Sequence, residues 1–73
     1  MIAAATGASI LNDTLTDIVD KGHRVEISLD PVGNYQVRVF DQGGFELVGA
    51  SDSESVTHAM IRLAMHLVNH PLP

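Results

Sequence analysis

Seventy-three residues, with nine Asp and Glu against four Lys and Arg and no cysteine, predict one small acidic domain of net charge −5. A chain of this size buries only about 60–65% of its unfolded surface, so its stability is expected to be modest unless a partner or second copy adds to it. The missing cysteines exclude a disulfide framework and a thiolate metal site. The charge speaks against gripping a phosphate backbone, which depends on Lys and Arg displacing counterions.

An acidic surface instead steers encounters with basic partners. The first residues, MIAAATGAS, lack the basic start and the apolar core of about 7–15 residues that mark a signal peptide. No run reaches the roughly 20 apolar residues of a membrane span. The expectation is a cytoplasmic protein with no membrane partner.

Residues 1–7, rich in small side chains, read as a flexible N-terminal arm, and residues 8–73 as a single domain. From Ala8 the apolar positions Leu11, Leu15, Ile18 and Val19 recur at spacings of three and four, with Asp13, Asp17 and Asp20 opposite. Lys21 and Gly22 supply a stop signal, so one amphipathic helix is predicted over about 8–21.

The period then changes to two. In HRVEISL, Val25, Ile27 and Leu29 alternate with Arg24, Glu26 and Ser28. The turn DPVGN follows, and YQVRVF resumes the alternation. Pairing Leu29 with Tyr35 sets Ile27 against Val37 and Val25 against Val39 on one face, and Glu26 against Arg38 on the other. The same register brings Arg24 beside Phe40, a cation–π contact.

The third strand, FELVGA, depends on its loop. A turn over Asp41-Gln42-Gly43, with Gly43 left-handed in a bulge, pairs Val39 with Phe45 and Val37 with Leu47, extending the apolar face and turning Phe40 and Val48 outward. A Gly43-Gly44 turn would put Phe45 and Leu47 outside. The bulged turn buries more and is preferred.

In the last segment Ser51 and Glu54 have capping-box spacing, and Asp52 and Glu54 place negative charge at the helix start. Val56, Met60, Leu63 and Leu67 form a core stripe, Ala59 and Ala64 allow close approach, and Pro71 ends the helix. The predicted fold class is α+β, in the order α-β-β-β-α, with a three-stranded antiparallel sheet and both helices on one face.

Chemistry-bearing patterns are sparse. His66 and His70, one helical turn apart, offer two ligands where a metal site needs three or four. Serines 51, 53 and 55 read as caps, and the glycine stretches join strands rather than opening a helix as phosphate loops do. No catalytic residue, metal or cofactor is expected, and the chain is not read as an enzyme. The element order is that of the double-stranded-RNA-binding domain, but where that family carries a lysine cluster this chain reads Ser51-Asp52-Ser53-Glu54. No direct nucleic-acid partner is expected.

A second apolar stripe, Ile61, Met65 and Val68, lies roughly 100° or less round the last helix from the first. The simplest expectation is that the first helix packs across it, making Ile61 and Met65 ordinary core. Left uncovered, the stripe would serve self-association in a homodimer, or partner binding, with Met as an adaptable contact.

The hairpin GNYQVRV, the glycine turn, ELVGASDS and the helical AMIRLAM together resemble the small phage- and plasmid-encoded anti-CRISPR proteins of type I systems, over about half the chain from Gly33 to Met65. That resemblance implies a protein-binding inhibitor of a basic nucleic-acid-handling complex in the cytoplasm of a bacterial host cell, some such members being acidic and occupying the complex's nucleic-acid-binding surface. It transfers no site residue. A second resemblance, to HicB-like antitoxins, rests on the strand–turn–strand–helix unit. The candidate partner contacts are Asp13, Asp17, Asp20, Glu46, Asp52 and Glu54, carboxylates able to stand where phosphates sit. The alternative is a homo-oligomeric structural or regulatory module.

Overall fold

The computed structural model describes residues 6–73, with side chains from Ile10 onward. Helix α1 spans Thr6–Asp20, strands β1, β2 and β3 span Arg24–Leu29, Tyr35–Phe40 and Glu46–Asp52, and helix α2 spans Val56–Asn69. The strands form one antiparallel sheet in the order β1-β2-β3. The expected α-β-β-β-α order is what the chain adopts. Helix α1 begins inside the segment expected to be an arm; residues 1–5 lie outside the described residues.

The two helices share one face of the sheet because the alternation leaves them one apolar face to cover. Val37 and Val39 of β2 are fully buried and meet Ile18 of α1 and Ala59, Met60 and Leu63 of α2 in a single cluster. Val56 and Leu67 border it, as the helical period requires. Helix α1 ends where expected, the Gly22 N–H donating to Val19 and the His23 N–H to Ile18.

The first hairpin has the predicted register: Leu29 pairs with Tyr35, Ile27 with Val37, Val25 with Val39 and Glu26 with Arg38. The Arg38 guanidinium donates to Glu26, and Arg24 lies 5.1 Å from the centroid of Phe40. The third strand does not follow its predicted register. Val39 meets Val48, Val37 meets Ala50, and a bulge falls where Phe40 pairs with Glu46. Phe45 is exposed, while Val48 turns inward and packs against the core with Leu47 and Ala50.

The cause is the turn. Asp41 accepts the N–H groups of Gly43 and Phe45, the Gly44 N–H donates to the Asp41 carbonyl, and Gly44 rather than Gly43 takes positive φ, at 87°. Phe40 therefore pairs with Glu46, which leaves two more residues between the strands than the predicted register, and the bulge shifts β3 by one residue more, turning Val48 inward.

Helix α2 starts later than its capping-box spacing suggested. Ser55, not Ser51, is the N-cap, accepting the His58 N–H at 3.0 Å. Ser51 and Asp52 remain in β3 because their backbones pair with Gln36 and Tyr35. Beyond α2 the chain folds back. Leu72 is buried in the core, and Lys21 Nζ donates to its carbonyl at 3.0 Å.

Candidate functional site

The side of α2 that faces away from the sheet carries the second apolar stripe, and α1 does not cross it. Ile61 is half-buried, while Met65 and Val68 are 67% and 78% exposed. Helix α1 settles instead against one flank of α2, beside the small side chain of Ala64. There Asp13, Thr14 and Asp17 form a shallow groove with Ala64, Leu67 and Val68. Burying Leu11 and Ile18 against the core draws α1 down beside α2 rather than over it.

The other flank of the stripe is built by the end of β3. Asp52, Glu54, His58 and Arg62 line a second shallow groove with Ile61 and Met65. An apolar ridge on α2 therefore runs between two borders that each hold a pair of carboxylates. The expected covering of Ile61 and Met65 by α1 does not occur among the described residues.

The six predicted carboxylates thus divide. Asp13, Asp17, Asp52 and Glu54 flank the ridge. Asp20 is exposed at the end of α1 and lines neither groove. Glu46 lies on the opposite face of the sheet, where its carboxylate stands 3.7 Å from Arg38, which also binds Glu26.

Within the second border the two carboxylates differ. The Asp52 side chain is 9% exposed and turned inward. The Glu54 N–H donates to it at 2.8 Å and Arg62 Nε at 2.9 Å. The Glu54 amide first, then Arg62, hold its carboxyl below the ordinary aspartate value against the opposing effect of burial. Glu54 reaches outward and meets His58 Nδ1 at 3.1 Å. Asp52 shapes the border, and Glu54 presents its charge to solvent.

Ligand atoms of Asp52, Glu54 and His58 lie within 4.8 Å of one another, the arrangement among the described residues that could approach a cation. Arg62 already supplies positive charge to Asp52 there, so an ion would have to compete with the guanidinium. His66 and His70 stack, with ring centroids 4.5 Å apart and planes 23° from parallel, a packing arrangement and not a chelating one.

All four Lys and Arg are engaged within the molecule. Lys21 pairs with Asp17, Arg24 lies over Phe40, Arg38 binds Glu26 and Glu46, and Arg62 binds Asp52. The sequence reading picked out the acidic positions but missed His58 and Arg62 as their partners. The i, i+4 spacing of Glu54, His58 and Arg62 carried that signal.

No helix among the described residues is long and apolar enough to cross a membrane. Compared with family models, with curated proteins and with solved structures, the chain matches none.

Proposed function

We propose that this chain works by binding, without catalysis, as an acidic inhibitor that lays α2 on a basic surface of a larger protein or ribonucleoprotein complex. The observation that carries the reading is the ridge of Ile61, Met65 and Val68, bordered by Asp13 and Asp17 on one side and by Asp52 and Glu54 on the other. An apolar centre supplies burial, and a charged rim sets orientation and encounter rate. The net charge of −5 and the internal use of every Lys and Arg favour a cationic partner over a polyanion.

The resemblance to anti-CRISPR proteins of type I systems names the partner to try first, a type I CRISPR effector complex whose Lys and Arg normally hold nucleic acid. Carboxylates on the rim of α2 would compete for those cations.

Purified effector complexes mixed with the protein and then offered target DNA test this directly. DNA capture should fall as the protein is added. Asp13→Lys with Asp17→Lys and Glu54→Lys should weaken the inhibition about tenfold or more and reduce its dependence on salt. Met65→Lys, at an exposed site, should abolish it with the fold intact. Undiminished DNA capture, or inhibition indifferent to these changes, would overturn the reading.

A further inference from the structure

The free edge of β1 is a second surface, separate from the α2 ridge. The Asp30 N–H donates to the Asn34 carbonyl at 2.9 Å and closes the first hairpin. Antiparallel pairs alternate between bonded and non-bonded, so counting back along the register, Ser28, Glu26 and Arg24 bond to β2. The N–H and C=O groups of Val25, Ile27 and Leu29 therefore point away from the sheet, toward an edge that no other strand among the described residues pairs with. The side chains of these residues lie on the helix-covered face, yet Ile27 and Leu29 are 55% and 60% exposed.

Edge strands are normally protected by a bulge, Pro, Lys or a covering element. β1 holds neither Pro nor Lys and pairs with β2 in unbroken register. The opposite edge, β3, does carry a bulge. Above β1, α1 turns Asp13, Thr14 and Asp17 toward α2. Helical geometry then directs Leu15 and Val19 to the other side, toward the β1 edge. Both are exposed.

We propose that two copies of this chain join through β1, antiparallel about a two-fold axis at Ile27, into one continuous six-stranded sheet. In that register Ile27 meets Ile27 and Val25 meets Leu29 as hydrogen-bonded pairs, which matches the direction of the free N–H and C=O groups. On the polar face Arg24 stands opposite Asp30, and Glu26 opposite Ser28. The neighbouring registers are worse: an axis at Glu26 sets Glu26 against Glu26, and one at Ser28 sets Glu26 against Asp30. A two-fold axis normal to the sheet keeps all four helices on one face, so Leu15 and Val19 of both copies close over the new strand pair. The α2 ridges stay clear of the seam.

Sedimentation of the whole protein should give a dimer whose proportion rises with concentration. Ile27→Lys, which puts a charge at an exposed edge position, should return it to monomer with its circular dichroism retained. Because the chain has no cysteine, Ile27→Cys provides a second test that needs no loss of stability. Bonded antiparallel partners sit about 5.5 Å apart at Cα, within disulfide reach, so mild oxidation should cross-link Ile27→Cys into a dimer and leave the exposed-turn control Val32→Cys largely uncoupled.

A wild-type monomer at all concentrations overturns the proposal. So does a dimer that survives Ile27→Lys, or one abolished by Met65→Lys instead, which would place the contact on α2. Ile27→Cys that stays folded but cross-links no faster than Val32→Cys also refutes it.

Discussion

Asp30 and Asp41 hold two successive hairpin turns with the same bonds at the same offsets. Asp30 accepts the N–H groups of Val32 and Asn34 through Oδ1, and Asp41 accepts those of Gly43 and Phe45. In each turn the glycine three residues on has positive φ, Gly33 at 92° and Gly44 at 87°. One local solution, Asp-x-x-Gly, is used twice; it sets the β1–β2 register and, together with the bulge beside Phe40, that of β3.

Alanine at Gly44 should therefore destabilise the protein by about 1–2 kcal/mol, the cost of a Cβ in the left-handed region. Gly44→Asn should cost less, because Asn tolerates that region. Gly43→Ala should cost less than Gly44→Ala, since Gly43 has no positive φ and its added Cβ would meet nothing nearer than 3.4 Å. Urea denaturation of the three variants checks the order. Equal losses at Gly43 and Gly44 would contradict the observed turn.

The cap of α2 is open to a similar comparison. Ser55→Ala should cost about 1 kcal/mol, the usual loss on removing a Ser N-cap, because the His58 N–H loses its acceptor. Ser51→Ala, at an exposed strand position, should stay within about 0.5 kcal/mol of the parent. If the two losses were reversed, the helix would begin at Ser51.

Leu72 lies in the core, although it stands beyond the end of α2. Leu72→Ala should cost about 2–5 kcal/mol, as for other buried leucines, a large share of the stability of so small a domain. Val68→Ala, on the exposed ridge, should be nearly neutral. Thermal melts of the pair would show whether the residues after α2 are part of the fold or an appendage to it.

Acid should weaken the fold through Asp30 and Asp52. Both carboxyls are held below the ordinary value of 3.8, Asp30 chiefly by the Asn34 N–H and Asp52 chiefly by the Glu54 N–H. A depressed folded-state value means the stabilisation is fully present above the unfolded pKa and is lost as pH falls through the folded one. Stability should therefore decline below about pH 4. Asp30→Asn with Asp52→Asn should flatten that decline while lowering stability at neutral pH. An unchanged acid limb in the double variant would remove both aspartates from the explanation.

Much of this architecture was legible in the residues alone, wherever local signals agreed with one another. The β1–β2 register is legible because Val25, Ile27 and Leu29 fit Val37, Val39 and Tyr35 on one face while Glu26 fits Arg38 on the other. A slip by one residue would undo both faces at once. The end of α1 at Gly22 is equally local. In β3 the local signals competed. Burying Phe45 favoured one register, but the repeated Asp-x-x-Gly turn imposed another and left that ring in solvent. Ser51 had the spacing of a cap, but its pairing with Gln36 kept it in the sheet.

The acidic positions were likewise visible as residues, but which of them share a surface was not. Helix period alone sets Ile61, Met65 and Val68 in a line. Whether that line is core or surface depends on which side of α2 the first helix settles, and that is decided by contacts between residues far apart in the chain. The same long-range packing turns Asp52 inward to Arg62, carries Glu46 to the opposite face, and leaves Ile27 and Leu29 half uncovered at the sheet edge. Composition and periodicity determined the elements and their order, because those follow from forces between near neighbours. The tertiary structure decided which faces remain open, because burial is shared out among all the elements at once.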